Sequence, residues 1–450
     1  MERLPLELSN AVCRLLVVED ILQLRLVSRH SYQVATSFFP SQVHLIFTLK
    51  SFEKLLVISK HPVISQQIRS IYYEADTLDL VDRKRWEESI TCMEYLESMP
   101  RWVPPDAPEE EHRARERELV EWGLQPRHSH THEELDQGWV QYQRFYHDQV
   151  ELCRQRYGIR ELQEALIRLP NVKTFRMSMG HNLEVQSEYL NKVFSTGFKT
   201  PFGDDCRGHA AGVPQLRSML LSMYEAGIKL QTFECGDVSW KLFRCSKKDL
   251  KAFATTLSQV RRLKLQLSTG MAASRNEIGV DLPECRRFLK NGRVRDMITH
   301  AKDLEYLEIR LDWWSPVFGI ELGNIVGDQI FPRLASVTFS HVETNEEELI
   351  RFLERHKATL RSLHLDTMCL ASGKWTSTVP RIKSSLELDE CEIEGRLFSD
   401  YPRRDFDLGM IEWDDARLPE DRPRIEKRKA IEEWFTKGGE CPFTDEWSEV

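Results

Sequence analysis

Three histidines at alternate positions form the most metal-like group in the sequence. In an extended segment, His128, His130 and His132 would place their imidazoles on one side, where they could ligate a transition metal. The surrounding residues are polar and Pro126 precedes them, which favours a surface loop. We therefore expect no metal at this position.

Two pairs of adjacent acids, Asp204–Asp205 and Asp414–Asp415, could bind a hard cation or activate water, but no partner base is indicated near either pair. The sequence also lacks the motifs G-x-x-x-x-G-K-[ST], G-x-G-x-x-G, H-E-x-x-H and G-x-S-x-G. We expect no catalytic site and no cofactor. A hydrolase or transferase with an unrecognised site is an alternative that convergent polar groups in a closed pocket would favour.

The composition indicates a globular, acidic protein. The chain has 450 residues, of which 41% are hydrophobic and 30% charged. At roughly 100 to 200 residues per domain, this length predicts two to four folding units. The 62 Lys and Arg against 71 Asp and Glu give a formal net charge of −9. Because a general nucleic-acid-binding protein needs a basic surface that displaces counterions, we expect no nucleic-acid partner.

The sequence contains no apolar run that approaches the roughly 20 residues of a membrane-spanning helix. The N-terminal residues lack the basic stretch, apolar core and cleavage site of a secretory signal. The ten cysteines form no C-x-x-C pair, so we expect them to be unpaired in a reducing compartment. These features predict a soluble protein of the cytoplasm, the nucleus or both, with no membrane partner.

Along most of the chain, a helical spacing of apolar residues repeatedly gives way to an alternating one, which indicates helix–strand units. Seven predicted strands contain the apolar triplets Ile68, Ile71 and Tyr73; Val172, Phe175 and Met177; Leu230, Phe233 and Cys235; Val260, Leu263 and Leu265; Leu304, Leu307 and Ile309; Leu334, Val337 and Phe339; and Leu360, Leu363 and Leu365. The last three begin at residues 304, 334 and 360. This spacing is near the leucine-rich-repeat period of about 20 to 29 residues.

Two predicted helix starts have the spacing of a capping box, in which a hydroxyl and a carboxylate satisfy backbone amides reciprocally. They are Ser246 with Asp249 and Thr344 with Glu347.

The alternation within the strands predicts a sheet that helices cover on one face only, because strands covered on both faces are apolar throughout. In one strand, Leu307, Ile309 and Leu311 alternate with Glu308 and Arg310. We therefore expect a horseshoe whose wetted strand face binds a target, as solenoids commonly do. The candidate residues on this face are Tyr72, Arg176, Glu234, Lys264, Gln266, Glu308, Arg310, Thr338 and His364. Trp313 and Trp314 follow a strand directly and are further candidates, as interface anchors.

The first 40 residues predict three short helices with one apolar stripe each. Leu8, Val12, Leu15 and Leu16 form the first stripe, Ile21, Leu24 and Val27 the second, and Tyr32, Val34, Ala35, Phe38 and Phe39 the third. A unit of this size buries too little surface to be stable alone and is usually completed by a partner.

About 40 N-terminal residues resemble an F-box, through Leu4-Pro5-x-Glu7-Leu8 followed by Ile21-Leu22-x-Leu24-Arg25-Leu26-Val27-Ser28-Arg29. Val43-His44-Leu45 and His61-Pro62 resemble the continuation in fungal F-box proteins with degenerate leucine-rich repeats. The segment from Phe331-Pro332-Arg333-Leu334 to Leu363-His364-Leu365 resembles the C-terminal repeats of those proteins.

The resemblance implies a substrate-recognition adaptor of an SCF-type (cullin-RING) E3 ubiquitin ligase, whose F-box binds the Skp adaptor while the repeats bind an unidentified target protein. Catalysis then belongs to other subunits. By motif position, the adaptor-facing residues are Leu4, Pro5, Leu8, Val12, Leu16, Ile21, Leu24, Val27 and Arg29. The alternative is a repeat scaffold for protein–protein interaction without ligase association, whose N-terminal helices only cap the solenoid.

The predicted fold class is α/β, with an N-terminal three-helix F-box followed by an irregular, leucine-rich-repeat-like helix–strand solenoid. The predicted domains are the F-box (1–40), a first helix–strand unit (41–80), a charged insertion with Trp and Pro (81–157), the repeat domain (158–395) and an acidic C-terminal tail (396–450). Whether the tail lies on the fold or awaits a partner is left open by its sequence.

Overall fold

The computed structural model describes residues 5–75, 78, 80–87, 113–114, 117, 131–155, 159–178, 207–268, 282–311, 319–399, 404–409 and 422–443. Over these ranges the chain is a mixed α/β structure, as expected, and its larger sheet is parallel. No helix in these ranges is long and apolar enough to cross a membrane.

Three short helices form a small unit at the N-terminus: α1 (Leu6–Cys13), α2 (Val18–Leu24) and α3 (Arg29–Thr36). Ser28 caps α3 by accepting a hydrogen bond from the backbone amide of Ser31. The unit has a core of its own, separate from the main core. Its members are Cys13, Ile21, Val34 and Ala35, with Leu16, Leu24 and Phe38 packed against them.

The strands of the described ranges are β1 (Gln42–Ile46), β2 (Ser70–Glu74), β3 (Thr174–Ser178), β4 (Thr232–Ser239), β5 (Arg262–Ser268), β6 (Tyr306–Leu311), β7 (Ser336–Ser340), β8 (Glu343–Asn345), β9 (Ser362–Asp366), β10 (Cys369–Ser372), β11 (Glu390–Glu394), β12 (Arg396–Ser399) and β13 (Arg404–Asp407). Nine of them form a parallel sheet in the order β1-β2-β3-β4-β5-β6-β7-β9-β11. The order follows the chain and never reverses, in contrast to a doubly wound sheet. All seven predicted strands are present, as β2 to β7 and β9.

The remaining helices are α4 (Leu49–Lys60), α5 (Ile64–Gln67), α6 (His132–Arg154), α7 (Ile159–Ile167), α8 (Arg207–Glu225), α9 (Lys247–Thr256), α10 (Leu282–Leu289), α11 (Arg293–Ile298), α12 (Leu322–Ile325), α13 (Glu346–Arg355), α14 (Trp375–Ser385) and α15 (Arg422–Lys437). A layer of helices lies beside the sheet, and its members contact one another in the order α4, α7, α8, α9, α11, α12, α13 and α14. The main core lies between this layer and the apolar face of the strands.

A second, smaller sheet has the order β13-β12-β10-β8, in which β12, β10 and β8 pair in parallel and β13 pairs antiparallel with β12. Each of its three parallel strands follows a strand of the larger sheet after a link of one or two residues, the first of which has a left-handed backbone. These residues are His341 (φ 59°), Thr367 (φ 45°) and Gly395 (φ 70°). One bend is therefore repeated at the ends of β7, β9 and β11.

Parts of the predicted insertion and tail belong to the fold. From α6, Leu135 and Tyr142 form a small core with Trp86, and Leu152 lies in the main core. At the other end of the chain, α15 packs on β11 and buries Ile431 and Phe435 in the main core. The described part of the tail therefore lies on the fold.

One of the two predicted helix caps is wrong by one residue. Ser246 caps α9 as predicted, since its hydroxyl accepts from the backbone amide of Asp249, but the Asp249 carboxylate pairs with Arg217 rather than completing a capping box. At α13 the cap is Asn345, whose side-chain oxygen accepts from the amide of Glu348 at 2.8 Å. Thr344 instead donates a hydrogen bond from its hydroxyl to the Glu348 carboxylate at 3.2 Å.

Candidate interaction surfaces

Helix α1 turns its larger apolar side chains outward. Ser9 and Cys13, at 0% and 1% exposure, form its buried face, whereas Leu8 is 53% and Val12 37% exposed. A helix of a globular protein normally buries its apolar stripe and exposes its small polar residues. The outer stripe of α1 therefore has no counterpart in the fold of the described chain.

The neighbouring helices continue this pattern. More than half of the large hydrophobic side chains that are exposed in the described ranges lie between residues 6 and 32. This exposed apolar set consists of Leu6, Leu8, Val12, Leu15, Val17, Leu22, Leu26, Val27 and Tyr32. Large groups of exposed apolar residues on a soluble domain commonly mark an interaction site.

The predicted adaptor-facing residues divide into two groups. Pro5, Leu8, Val12, Val27 and Arg29 are exposed, while Leu16 and Leu24 are half-buried against the small core. Ile21 is 5% exposed and lies inside that core, so its assignment to the outer surface is corrected: it holds the three helices together. Leu4 lies outside the described residues.

Within the described ranges, side chains of Arg25, Tyr32 and Phe39 join the N-terminal helices to the rest of the chain. The Tyr32 hydroxyl and His61 Nε2 are hydrogen bonded at 2.8 Å. The Arg25 guanidinium lies 5.0 Å from the ring centre of Tyr32 and 5.3 Å from that of Phe39, and Phe39 packs against the main core. The described attachment therefore involves α3 and the segment after it, and leaves Leu8 and Val12 exposed.

A second candidate surface is the polar face of the larger sheet. Because the strands are parallel and in register, seven of the predicted target-binding residues lie in one line across it. This polar row consists of His44, Tyr72, Arg176, Glu234, Lys264, Glu308, Thr338, His364 and Glu392. Gln266 and Arg310 are partners in the next row. Trp313 and Trp314 lie outside the described residues.

One ion cluster of this face is centred on Glu234. Its Oε2 lies 2.9 Å from Arg176 Nε, and its Oε1 lies 2.8 Å from Arg262 Nε. The Arg262 guanidinium also lies 3.8 Å from the ring centre of Tyr306. The two arginine side chains are 45% and 46% exposed, so their outer parts can reach a ligand.

A second cluster surrounds Glu308, which is 2% exposed. Its Oε1 lies 3.1 Å from Lys264 Nζ and 2.7 Å from Arg310 Nε, and the Tyr306 hydroxyl donates to its Oε2 at 2.5 Å. Burial alone would raise the pKa of this carboxyl, but the two cations and the hydrogen bonds outweigh it, so the pKa is lowered. Burial and the Glu308 charge raise the pKa of Tyr306 to about 12.

The third cluster binds His364 between two acids. Its Nε2 lies 2.8 Å from Glu394 Oε1, and its Nδ1 lies 3.6 Å from Glu392 Oε2. Burial alone would lower the pKa of this imidazole, but the hydrogen bond to Glu394 and the charges of both acids outweigh it, so the pKa is raised. His364 is therefore a pH-sensitive residue of the polar row.

The expectation that water covers the whole polar face is wrong for part of it. Tyr72, Gln266, Glu308 and Thr338 are at most 6% exposed, because long neighbouring side chains and close strand packing enclose them. These four residues have little surface for a target. Arg176 and Arg310 retain 45% and 26% of their side-chain exposure.

A buried cluster at the end of β7 contains the residue types of a hydrolase. Ser340 Oγ donates to Asp366 Oδ2 at 2.6 Å and lies 2.7 Å from His341 Nδ1. The serine lies between the imidazole and the carboxylate, whereas a nucleophilic triad places the imidazole in the middle. All three residues are at most 3% exposed, and burial lowers the pKa of His341 to about 4. This geometry fits a structural network at the bend.

Sequence reasoning missed several members of the clusters: Arg262, Tyr306, Glu392 and Glu394. Arg262 and Tyr306 lie two residues before the predicted Lys264 and Glu308, so extending the alternation by one step would have found them. Glu392 and Glu394 lie on β11, which was not among the predicted strands. The histidine group 128–132 is only partly described, with His132 as the first residue of α6. Asp204–Asp205 and Asp414–Asp415 lie outside the described residues.

Neither a known protein-family model nor a curated protein matches the sequence.

Proposed function

We propose that the chain is a substrate-recognition adaptor of an SCF-type cullin-RING E3 ubiquitin ligase. In this proposal α1 to α3 are an F-box that binds the Skp adaptor, and the helix–strand units are a leucine-rich-repeat-like solenoid that binds the target protein. Ubiquitin transfer then belongs to other subunits of the ligase.

The observation that carries the proposal is the outward apolar face of α1. Leu8 and Val12 belong to the N-terminal resemblance and are exposed, whereas Ser9 and Cys13 fill the interior. Covering one apolar side chain contributes roughly 1.5 to 3 kcal/mol, so a partner that covers several of the exposed apolar set gains a stable interface. The separate small core supports a unit that presents this face to another subunit.

The periodicity of the larger sheet supports the solenoid. Ser336, Ser362 and Glu390 are register partners, and each begins a strand. Their spacing is close to the leucine-rich-repeat period of about 20 to 29 residues. Each of these strands ends in the same left-handed bend. Repeated units of this kind build an extended surface for protein binding.

The polar row is the proposed target surface. Its charges pair across strands, so a target must compete with or add to existing ion pairs. Arg176 and Arg262 each contact Glu234 through Nε, which lies at one edge of the guanidinium. Their side chains are 45% and 46% exposed. We therefore expect the target to bring carboxylate or carbonyl oxygens to this part of the row.

The alternative is a repeat scaffold that has no ligase partner and uses its N-terminal helices as a cap. The contacts of Tyr32 with His61 and of Phe39 with the main core favour it. A cap is expected to bury its apolar residues against the first unit. The 53% exposure of Leu8 favours the adaptor.

Co-expression of the full chain with a Skp adaptor tests the proposal. We expect the two proteins to co-purify, and the variant Leu8→Lys to lose most of the bound adaptor because it places a charge in the interface. The matched control is Ile167→Lys on α7, which replaces another exposed apolar residue, 63% exposed, outside the N-terminal helices. A folded wild-type chain that fails to bind the adaptor would contradict the proposal.

A further inference from the structure

A cavity of about 450 Å³ lies between the first turns of α4 and one face of α6. It is outside both surfaces described above. Cavities of this size commonly hold a small ligand. Its apolar walls include Val140 and Phe145, and the rest of its lining is mainly polar.

The charged lining of the cavity is mostly positive. Lys50, Lys54 and Arg144 line it, against one acid, Asp148. Burial is the largest influence on Asp148 and raises its pKa, which weakens the single opposing charge. No ion pair or hydrogen bond joins the side chain of Lys50, Lys54 or Arg144 to another described residue, whereas Arg176, Arg262 and Lys264 elsewhere are paired.

Two buried hydroxyls in the same lining donate to no acceptor among the residues that the structure describes. Thr48 is 4% and Ser51 5% exposed. Thr48 Oγ1 accepts from the backbone amide of Ser51 at 3.3 Å, and Ser51 Oγ accepts from the amide of Ile46 at 3.0 Å. Each hydroxyl thus accepts one hydrogen bond, and neither donates to another described residue. Because buried polar hydrogens are normally satisfied, both hydroxyls are available to donate to a ligand in the cavity.

We propose that this cavity binds a phosphate monoester. Three cations and two hydroxyl donors face one space, and a phosphate monoester brings nearly two negative charges and three strong acceptor oxygens. Val140 and Phe145 provide an apolar wall for the organic part of the ligand. The phosphate can belong to a small metabolite or to a phosphorylated side chain of a peptide. The proposal is independent of the proposed ligase function.

Isothermal titration of the full chain tests this site with three probes: inorganic phosphate, glycerol 3-phosphate and a short phosphoserine peptide with its unphosphorylated counterpart. We expect saturable binding of at least one phosphorylated probe. Preference for glycerol 3-phosphate supports a metabolite as the source, and preference for the phosphopeptide supports a protein source.

The double variant Lys54→Gln/Arg144→Gln is expected to weaken that binding about tenfold or more, because two charge-assisted contacts are lost. Lys248→Gln is the matched control, since Lys248 is exposed on α9 away from the cavity. Binding should also weaken as salt is added. The proposal is overturned if no phosphorylated probe binds the folded chain, or if the double variant binds as well as the control.

Discussion

Leu8 and Ser9 are adjacent in α1, yet Leu8 is 53% exposed while Ser9 is completely buried. The helix therefore directs a hydroxyl into the small core and a leucine toward solvent. Val12 repeats the arrangement one turn later, with Cys13 inside. The fold of the described chain accounts for the buried pair, and the proposed partner accounts for the exposed pair.

Removal of residues 1–37 should leave the sheet domain folded. This truncation removes the small core but keeps Phe39, which packs against the main core. We expect a cooperative unfolding transition by circular dichroism, with a midpoint near that of the full chain. Truncation after residue 421 is the comparison, because it removes Ile431 and Phe435 from the main core and should destabilise the domain. If the chain without residues 1–37 lost its cooperative unfolding transition, the result would favour the alternative in which the N-terminal helices cap a repeat scaffold.

Glu308→Gln should destabilise the protein by about 2 to 4 kcal/mol, because it leaves Lys264 and Arg310 beside a neutral group in a buried cluster. Denaturant unfolding measures the change. Glu305→Gln is the matched control, since its side chain is 46% exposed and its ion pair with Arg261 is 4.0 Å long. The control should change stability by at most about 0.5 kcal/mol. Equal effects of the two substitutions would show that the Glu308 cluster is not specially stabilising.

Gly395→Ala should destabilise the protein by about 2 kcal/mol or more. The backbone has φ of 70°, and an added Cβ would meet the side chains of Thr367 and Asp366. Gly438→Ala separates the cost of the left-handed backbone from the cost of the steric contact, because φ is 81° there and no atom lies within 4 Å of the added Cβ. The control should cost about 1 kcal/mol in thermal or denaturant unfolding. A loss at Gly395 no larger than at Gly438 would contradict close packing at the bend.

The stability contributed by His364 should fall as pH rises. Its pKa is raised in the folded protein, so its contribution is complete below the unfolded value of about 6.5 and is lost as pH rises through the folded value. His364→Gln should therefore destabilise the chain more at about pH 6 than at about pH 8. His300→Gln, at an exposed position, is the control.

Denaturant unfolding at the two pH values gives the required differences. His341 has its pKa lowered to about 4, so its own contribution to stability falls below about pH 6.5, but this loss is common to the wild type and the His364 variant and cancels in their difference. A destabilisation by His364→Gln that is equal at both pH values would contradict the ion cluster with Glu392 and Glu394.

The sequence predicted the strands well because the sheet is polar on one side. Leu307, Ile309 and Leu311 alternate with Glu308 and Arg310, and this period is specific to a strand. The same alternation predicted that Arg176, Glu234, Lys264 and Glu308 lie on the polar face of the sheet. The short strands β8, β10 and β12 were missed because each follows a bend at one residue, and two of these bend residues, His341 and Thr367, are not glycine.

The burial of the polar side chains and the presence of the cavity could not be predicted from the sequence and became visible only in the three-dimensional structure. The alternation placed Glu308 on the correct face, but its 2% exposure depends on Lys264, Tyr306 and Arg310 around it. Similarly, α1 has an apolar stripe in sequence, and only its packing on α3 shows that Ser9 and Cys13 face inward. Lys54 and Arg144 are 90 residues apart, so their convergence follows from tertiary structure.

The affinity of the full chain for a Skp adaptor, measured for the wild type and for Leu8→Lys/Val12→Lys, tests the central claim most directly. Both side chains are exposed, so the double variant should unfold like the wild type. We expect its dissociation constant to rise about a hundredfold or more, because two apolar contacts are replaced by buried charges. Wild-type affinity in the folded double variant would contradict an interface at the outer face of α1.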